Sequence, residues 1–454
     1  MGFTGQLAQW IAATQRVWPA QAVEQAERAI VDTIACMIAG AGDEAVRRVA
    51  EGLKRWGANG VVSRVGELDG MDAPWAALLN GTAAHALDYD DVLDPAGSHV
   101  SAVMVPALLA LAEEIDASGA DLVDAYIVGV EVQECLAEAV NMEHYTRGWH
   151  TTLTLGAPSA AAACARLLRL NAEQSRNAIS LATSLASGFK RQFGTNAKPF
   201  HAGLGAKNGI LAARMAAAGL TADPDAFEGA RGFLDLLVGA NAAGFGKVLR
   251  RLDGPPAIVS PGVWLKHYPC CASTHRAVDG LIELARAHKL EAGDIARVDT
   301  LVSEAAVRNL MYVEPADEMQ ARFSMAYCIA AAALDKNLNL GTFRRASIGR
   351  ADIAAFIPRV TMASDPDQPA DMPSTMKSWA TTTVMTTDGR RFTSKVVDPK
   401  GYPDNPLSEN DLAEKFRDCA AGQHESAASS FADWRDVASV SKIRPLCARL
   451  RSVN

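Results

Sequence analysis

The sequence predicts a mainly α protein with a second domain of the α+β type. Apolar residues recur three and four positions apart through most of the first 240 residues, which is the period of a helix with one buried face. Stretches rich in Val, Ile and Thr, which favour strands, are found only after about residue 262. A chain of 454 residues is also too long for one small core and is expected to form two domains.

The composition limits the kind of protein this can be. Hydrophobic residues make up 49% of the chain and aromatic residues only 6%, which is typical of a soluble globular protein with alanine-packed helices. A formal net charge of -8 argues against a nucleic-acid surface, because such a surface needs clustered basic residues. The eight cysteines show no paired spacing, and the sequence has neither signal-peptide features nor a long uncharged apolar run. We therefore expect a cytoplasmic protein that binds neither nucleic acid nor membranes.

Helices are expected throughout the first domain. The segment 22–38 has the helical period and is followed by Gly40 and Gly42, which favour the end of a helix. Similar segments, separated by short loops, are found at 74–88, 101–117, 121–141, 157–170, 172–187 and 205–218. No alternating polar and apolar pattern lies between them, so this part of the chain is expected to be all-α.

The second domain is expected to combine strands and helices. The expected elements are a helix at 274–288, a strand at 295–302, a helix at 323–334 and a strand at 359–364. Residues 380–397 form two strand-like arms around the dipeptide Asp388-Gly389, which is a hairpin signal. We therefore predict an α+β domain over residues 263–407, which would act as a lid.

The end of the chain is expected to return to the first domain. Residues 401–406 are rich in turn-forming residues, and Ser408-Glu-Asn-Asp411 has the spacing of a capping box at the start of a helix. The composition of the following tail resembles that of the first domain. The predicted all-helical domain therefore consists of residues 1–262 and 408–454.

Two motifs suggest cofactor chemistry that the sequence does not support. Gly203-Leu-Gly205-Ala-Lys-Asn-Gly209 resembles a dinucleotide-binding loop, but no buried strand precedes it, so glycine-mediated helix packing is expected. The adjacent residues Cys270 and Cys271 lack the CxxC spacing of a metal or redox site.

The acidic residues Asp88, Asp90 and Asp91 lack the spacing of a calcium-binding loop, and the chain contains no HExxH motif. A solvated or helix-capping acidic cluster is therefore the favoured interpretation, and no metal site is expected.

Most of the nine histidines lie in polar segments framed by glycine and proline, and these segments are interpreted as pieces of one active site. They are residues 85–99, 148–152, 198–203 and 266–276. Their histidines and lysines suit proton transfer at a carbon next to a carboxylate, because imidazole is a base near neutral pH and lysine can stabilise the developing negative charge. A carboxylate such as Asp88 can orient an imidazole by hydrogen bonding.

At these same residues the chain resembles the MmgE/PrpD family, which contains 2-methylcitrate dehydratases, cis-aconitate decarboxylases and iminodisuccinate epimerases. The pieces that carry the resemblance are Asn80-Gly-Thr-Ala-Ala-His-Ala-Leu-Asp-Tyr-Asp-Asp, Gly148-Trp-His-Thr-Thr, Gln192-Phe-Gly-Thr-Asn-Ala-Lys-Pro-Phe-His-Ala-Gly and Lys266-His-Tyr-Pro-Cys-Cys-Ala-Ser-Thr-His-Arg. The resemblance implies a helical MmgE/PrpD-type domain, a smaller α+β lid domain, a homodimer, a small carboxylate substrate and neither a metal nor an organic cofactor.

The resemblance also implies roles for individual residues. Those that match family active-site positions are Asp88, His99, His150, Lys198 and Lys266, with Tyr145 and Tyr312 as further residues of the pocket. In this hypothesis His150 or His99 removes the proton next to a carboxylate, and the other imidazole protonates the leaving group or the opposite face. Lys198 and Lys266 hold substrate carboxylates and Asp88 orients a histidine.

One segment departs from the pattern of dehydratase and decarboxylase relatives, in which a threonine and a histidine follow the Asp-Asp pair. This chain has Val92 and Asp94 there, and one extra residue before His99. Without the hydroxyl and a cation, binding of a third carboxylate would be weaker. The substrate is therefore expected to be smaller or differently charged.

Three reactions share the first deprotonation. A hydro-lyase acting on a small hydroxy polycarboxylate is the favoured prediction, because dehydration is widespread in the resembled family. An epimerase of an iminodisuccinate-like dicarboxylate is the next alternative, with Tyr145 as a second acid or base. A cis-aconitate-type decarboxylase is the third. A catalytically silent dimeric module would be expected to lack the imidazoles and lysines that this chain has.

Overall fold

The computed structural model of the chain describes residues 1–15, 17–56, 60–94, 97–239, 244–369, 378–421 and 425–451. The chain divides into two compact units. The helical unit comprises Met1–Ala86, Asp90–Val263 and Glu409–Asn454, and the mixed unit comprises Leu87–Tyr89 and Trp264–Ser408.

The helical unit is built from helices of very different length. From the first part of the chain they are α1 (Phe3–Ala13), α2 (Ala20–Gly40), α3 (Glu44–Leu53), α4 (Ala73–Ala86), α5 (Val100–Ile115), α6 (Gly119–Thr146), α7 (Thr151–Thr154), α8 (Gly156–Leu167), α9 (Ala172–Thr183), α10 (Ala197–Ala217), α11 (Phe233–Val238) and α12 (Phe245–Leu249). The expected helices are confirmed, with different ends. The largest difference is at α10, which begins eight residues before the expected 205–218. Its early start places Pro199 in the first turn, where the missing backbone N–H costs little.

Small side chains let the central helices approach closely. A Cβ atom added to Gly203 of α10 would lie 2.1 Å from the carbonyl oxygen of Leu78 in α4, and one added to Gly209 would lie 2.5 Å from Cβ of Ala160 in α8. The expectation that this glycine motif serves helix packing is confirmed. The expected helical first domain is confirmed, and it also contains one short strand, β1 (Val92–Leu93).

The last part of the chain packs into the helical unit. Its helices are α19 (Glu409–Ala420), α20 (Glu425–Ala428), α21 (Phe431–Arg435) and α22 (Arg444–Ala448). Helix α19 packs against α2, where Lys415 Nζ lies 2.7 Å from Oδ1 of Asp32. Both side chains are buried, so this ion pair ties the last segment to the core of the unit.

The mixed unit has a four-stranded sheet packed against helices. The strands β3 (Ile295–Val302), β4 (Val360–Ser364), β5 (Ala380–Thr386) and β6 (Arg391–Val396) lie in the order β4-β3-β5-β6, and a further short strand, β2, is Val263–Trp264. The β3–β4 pair is parallel, and the other two pairs are antiparallel. The helices of this part of the chain are α13 (Ala272–His288), α14 (Glu304–Asn309), α15 (Glu318–Arg322), α16 (Met325–Asp335), α17 (Arg345–Ile348) and α18 (Ala351–Phe356).

The sheet and its helix α13 share an apolar core. The predicted hairpin around Asp388-Gly389 is confirmed, and Gly389 has the positive φ of +88° that such turns require. Helix α13 packs on β5 and β6 and contributes Leu281 to a core with Val298 and Val384. The α+β character predicted for this domain is therefore confirmed.

Among the described residues, no helix combines the length and the apolar character needed to cross a membrane.

Candidate active site

A buried carboxylate shared by two imidazoles lies in the helical unit. His85 is in the last turn of α4, and its Nδ1 lies 2.8 Å from Oδ2 of Asp90. The same oxygen lies 3.1 Å from Nδ1 of His99, which directly precedes α5. The two imidazole ring centroids are 4.4 Å apart. The fully buried carboxylate of Asp90 therefore holds both rings in place.

Local backbone geometry explains why Asp90 meets a histidine five residues before it. The chain leaves α4 through Asp88, whose φ of +52° lies in the left-handed region that aspartate tolerates better than most residues. At the other side, the backbone N–H of His99 donates a hydrogen bond to Oγ1 of Thr152 in α7, at 3.2 Å. The start of α5 is thereby tied to the segment that carries the next histidine.

A second pair of imidazoles lies beside the first. Nδ1 of His150, which precedes α7, is 2.9 Å from Nδ1 of His201 in α10. Since only one of two neutral rings can carry the proton at this contact, the other must carry its proton on Nε2. The rings of His150 and His85 are stacked, with centroids 5.8 Å apart, so the two pairs form one cluster. In the described part of the chain, Nε2 of His150 has no hydrogen-bond partner and is buried.

Gly188 fixes the backbone next to this second pair. Its carbonyl oxygen accepts a hydrogen bond from the backbone N–H of His150 at 3.0 Å. Its φ is +103°, which strains any residue with a side chain, and an added Cβ atom would lie 3.3 Å from Nδ1 of His201. Glycine at this position therefore serves both the turn and the space around the imidazoles.

Lys198 brings a positive charge to the cluster. It lies on α10, three residues before His201, and its side chain is almost fully buried. Its Nζ is 5.5 Å from the ring centroid of Phe193, whose ring packs edge-on against that of His150. Lys198 lies before the expected helix at 205–218, but the structure places it on α10, because this helix begins at Ala197.

The environment makes most of these imidazoles neutral at neutral pH. Burial lowers the pKa of His85 to about 3, although Asp90 acts in the opposite direction. Burial and the charge of Lys198 lower the pKa of His201 to about 4. Burial, together with the neighbouring histidines and Lys198, holds the pKa of His150 well below its usual range.

Asp90 has the opposite tendency. Burial opposes its ionisation, yet the contacts with His85 and His99 hold its pKa well below the usual range. The Nδ1–H of neutral His85 donates a hydrogen bond to the ionised Asp90, so the lone pair of this ring lies on Nε2. The same negative charge lies 3.1 Å from Nδ1 of His99 and favours a proton on that nitrogen too. The carboxylate therefore selects the tautomer in which Nε2 acts as a base.

A second, uncharged aspartate supports this arrangement. Asp91 accepts a hydrogen bond from the backbone N–H of Ser101 at 3.1 Å and a short one from the Ser101 hydroxyl, which also contacts the Tyr126 hydroxyl at 2.6 Å. Burial raises the pKa of Asp91 to about 8, although these hydrogen bonds act against it. This contact ties the segment that carries Asp90 to the first turn of α5.

The other predicted carboxylate, Asp88, belongs to the mixed unit. Its Oδ2 lies 3.2 Å from Nζ of Lys266, and the lysine also donates a 2.8 Å hydrogen bond to the Asp88 carbonyl oxygen. The carboxylate in contact with the imidazoles of His85 and His99 is that of Asp90. The turn at Asp88 directs the carboxylate two residues later toward these rings, and the prediction that Asp88 orients a histidine stays a prediction.

The two predicted tyrosines lie in different settings. Tyr145 is half-buried near the end of α6 in the helical unit, where Lys190 Nζ lies 3.5 Å from its ring centroid. Tyr312 is half-buried in the mixed unit, between α14 and α15. The segment that departs from the pattern of the dehydratase and decarboxylase relatives contains Val92 and Asp94, and both are buried. The two residues after Asp94 lie outside the described residues.

The structure thus brings three predicted residues, His99, His150 and Lys198, into one cluster. It adds three that the prediction left out of the site, namely His85, Asp90 and His201. All three lie inside the polar segments that the sequence singled out. The sequence therefore indicated the right segments, but a segment alone does not show which of its side chains contact one another.

The shared-carboxylate cluster also has the donor atoms of a metal site. His85, Asp90 and His99 each offer one atom, and these atoms lie within 4.8 Å of one another. Two imidazoles and one carboxylate suit several transition metals. The 2.8 Å contact between His85 and Asp90 is itself the length of a direct hydrogen bond, so a proton fits between these two atoms.

The comparison with known proteins decides the family. The MmgE/PrpD N-terminal domain matches residues 5–245, and the MmgE/PrpD C-terminal domain matches residues 268–434. The chain belongs to the MmgE/PrpD family. Its cluster of histidines therefore lies in the N-terminal domain of an MmgE/PrpD protein.

Curated relatives of this MmgE/PrpD protein include several named as one enzyme. The chain is 30% identical to human cis-aconitate decarboxylase, over 93% of this chain and 86% of the relative. It is 28% identical to the mouse cis-aconitate decarboxylase, over 87% and 82%. It is 24% identical to the cis-aconitate decarboxylase of Aspergillus terreus, over 92% and 89%. The similarity thus extends over nearly the full length of both chains in each case.

Proposed function

We propose that this protein is a lyase for a small polycarboxylate that moves a proton at a carbon next to a substrate carboxylate, using its own imidazoles. The observation that carries the proposal is the buried cluster of the helical unit. It combines an imidazole held by an ionised carboxylate, an imidazole paired with a second imidazole, and a buried ammonium group. A base, a proton donor and a cation are the three parts that such a proton transfer requires.

His99 is assigned the role of base. The Asp90 carboxylate lies 3.1 Å from Nδ1 of His99 and favours the proton on that nitrogen, which leaves the Nε2 lone pair for the substrate proton. Its side chain keeps 12% of its exposure, whereas the side chain of His85 in the same contact keeps none. Substrate can therefore approach His99 more readily than His85.

His150 is assigned the role of proton donor. Its Nε2 makes no hydrogen bond in the described part of the chain, and its Nδ1 contacts His201. When His201 donates at this contact, the proton of His150 lies on Nε2, where it can reach a substrate atom. Lys198 then holds a substrate carboxylate and stabilises the charge that develops on it.

A hydro-lyase is the reaction that this geometry favours. His99 removes the proton next to the carboxylate, the electron pair forms a carbon–carbon double bond, and the β-hydroxyl leaves as water with a proton from His150. This reaction needs both a base and a separate donor, and the cluster contains both. A small hydroxy polycarboxylate is the proposed substrate.

A decarboxylase is the second candidate, because the relatives described above are named cis-aconitate decarboxylases. In that reaction the bond to a carboxylate breaks, carbon dioxide leaves, and His150 protonates the carbon that keeps the electron pair. Only the donor takes part in this proton transfer. The roles predicted for Asp88, Lys266, Tyr145 and Tyr312, the epimerase alternative, the homodimer and the cytoplasmic location stay predictions.

Proton NMR in D2O distinguishes these reactions. The purified protein is incubated with citrate, 2-methylcitrate, malate, cis-aconitate and iminodisuccinate in separate samples. An alkene formed from a hydroxy acid supports the hydro-lyase, and loss of carbon dioxide with deuterium in the product supports the decarboxylase. Interconversion of stereoisomers would favour the epimerase instead.

The variants His150→Ala and His288→Ala complete the experiment. His288 is an exposed histidine of the mixed unit that stacks on Phe392, and its replacement should leave turnover unchanged. His150→Ala should lower turnover by about 100-fold or more, because the donor is lost. Turnover that is equal in both variants, or no reaction with any of the acids, contradicts the proposal.

A further inference from the structure

His150 faces a chemical difficulty as a proton donor. Its ring is buried, and its electrostatic neighbours are His85 on α4, His99 before α5, and His201 and Lys198 on α10. Lys198 is a cation, so a second positive charge on the ring is disfavoured. A neutral imidazole that loses its Nε2 proton would become an anion, which is also costly in a buried site.

The contact between His150 and His201 removes this difficulty. The two Nδ1 atoms are 2.9 Å apart, so a proton can pass from one ring to the other without movement of either backbone. We infer that His201 is the proton relay of His150, a positioning residue that supplies a proton to Nδ1 while Nε2 gives one to the substrate. The inference rests on the proposed function and adds a residue to it.

The protons balance over this step. At the start, His201 carries its proton on Nδ1 and His150 carries its proton on Nε2. The Nε2 proton moves to the substrate, the Nδ1 proton of His201 moves to Nδ1 of His150, and water protonates Nε2 of His201. The hydroxide that this water leaves is neutralised by the proton that His99 took from the substrate and then releases. Both rings end neutral with exchanged tautomers. The reverse transfer, with water in place of the substrate at His150, restores the starting state after the product leaves.

The exposure of the two rings to water agrees with the direction of the relay, in which His201 takes its proton from water and His150 gives its proton to the substrate. His201 keeps 8% of its exposure and His150 keeps 1%, so His201 is the more accessible to water. In the described part of the chain, the contact with His150 is the one hydrogen bond that the His201 ring makes. The backbone of Gly188 holds the inner ring, through its hydrogen bond to the N–H of His150.

A variant that keeps the hydrogen bond but not the relay separates the two roles of His201. In His201→Asn, the side-chain amide can donate to Nδ1 of His150, but it cannot pass a proton onward. We expect kcat to fall by about 100-fold or more while KM changes by less than about threefold. A kcat within about threefold of the wild-type value overturns the relay, because the hydrogen bond alone would then be sufficient.

The matched control is His288→Asn, the same change at an exposed histidine of the mixed unit. It should keep the wild-type kcat. Circular dichroism and the urea midpoint of both variants show whether either change has disturbed the fold. A fall in kcat for His201→Asn at an unchanged midpoint supports the relay.

Nitrogen-15 NMR tests the same inference without a substrate. The full-length protein is labelled at its histidines, and the signals of the pair are assigned by their loss in His150→Ala and His201→Asn. At pH 7 we expect two neutral rings with opposite tautomers, one protonated on Nδ1 and one on Nε2. A ring protonated on both nitrogens at pH 7 overturns the relay, because a charged His150 would need no second donor.

The substrate panel and the NMR of the histidine pair distinguish a failure of the proposed function from a failure of the relay. If no acid in the panel reacts, the proposed function fails, whereas the tautomers of the pair are still decided by NMR. If the panel identifies a substrate and His201→Asn turns it over at the wild-type rate, the relay fails and the proposed function stands.

Discussion

Two adjacent aspartates of the helical unit have pKa values that are shifted in opposite directions. Asp90 is held ionised by its contacts with His85 and His99, whereas burial raises the pKa of Asp91 to about 8. Their side chains are both fully buried, so burial alone does not explain the difference. The difference comes from the partners, because imidazoles stabilise a carboxylate and the hydroxyl of Ser101 does so less strongly.

This contrast predicts unequal effects of the same substitution. Asp90→Asn removes the charge that fixes the tautomer of His99, and turnover should fall by about 100-fold or more. Asp91→Asn replaces a mostly neutral acid by a neutral amide of the same shape, and turnover should change by less than about tenfold. The measurement is kcat of each variant on the substrate identified by NMR. Equal losses in the two variants would contradict the assignment.

The stability of Asp91→Asn should depend on pH. Asp91 keeps its proton in the folded state up to about pH 8 but loses it near pH 4 when unfolded. The contribution of Asp91 to the free energy of unfolding is therefore complete below about pH 4 and is lost as the pH rises toward 8. Asparagine has no such proton, so the variant should gain stability relative to the wild type between pH 5 and pH 8 in urea unfolding. If the difference in free energy of unfolding between the variant and the wild type were the same at pH 5 and pH 8, the raised pKa of Asp91 would be contradicted.

At the scale of residues, the sequence shows the chemistry but not the pairing. Asp88, Asp90 and Asp91 stand in one short polar stretch, and each has a different partner in the structure. The positive φ of Asp88 decides this, because it turns the chain between the first and the second of them. Backbone dihedrals of single residues are not fixed by composition or by periodicity, so the sequence did not identify Asp90 as the aspartate that contacts His85 and His99.

At the scale of elements, the site depends on how closely two helices pack. Helix α4 carries His85, and α10 carries Lys198 and His201. The two helices meet at Gly203, where the backbone of α4 occupies the space of a side chain. The distance between the helix axes thus sets the distance between the imidazoles.

Gly203→Ala should disturb both stability and turnover. The added Cβ atom would lie 2.1 Å from the Leu78 carbonyl oxygen and 2.5 Å from Oγ1 of Thr82, so α4 and α10 must move apart. We expect a loss of about 1–3 kcal/mol in the free energy of unfolding, and a lower kcat as the rings separate.

Gly52→Ala is the matched control, since this glycine of α3 has no atom within 4 Å of an added Cβ. It should gain about 0.5 kcal/mol, because alanine favours the helix. Both free energies are measured by urea unfolding. A Gly203→Ala protein as stable and active as Gly52→Ala would contradict the close approach.

The sequence indicated this packing more reliably than it indicated helix ends. The glycine spacing between Gly203 and Gly209 predicted close helices, because no other local reason for three glycines was found. The start of α10 was missed because the expected helix began only at residue 205, although Pro199 fits the first turn of a helix. The strand β1 was missed because two residues are too few for an alternating pattern.

At the scale of the whole molecule, the helical unit is assembled from segments far apart in sequence. The last segment, Glu409–Asn454, belongs to the unit formed by most of the first 263 residues. Composition suggested this return, but it could not identify the contacts that hold it. The buried ion pair between Asp32 and Lys415 is such a contact, and the exposed pair between Asp116 and Lys442 is another.

The two ion pairs should differ greatly in importance. Lys415→Met leaves the buried carboxylate of Asp32 without its cation, and this should cost about 3–5 kcal/mol in the free energy of unfolding. Lys442→Met breaks an exposed pair and should leave the urea midpoint nearly unchanged, because solvent screens such pairs. The double variant Asp32→Leu/Lys415→Met should recover most of the loss, because it removes the unpaired charge as well.

The same variants test whether the last segment affects the histidine cluster. Asp32 and Asp90 interact electrostatically, and each disfavours the charge of the other. Lys415 compensates for this repulsion, so its loss should raise the pKa of Asp90 and weaken its hold on His99. Under conditions in which the Lys415→Met variant is still folded, its kcat should therefore be lower than that of the wild type. The double variant should restore the wild-type kcat. If the two variants have the same kcat, the last segment contributes to stability alone.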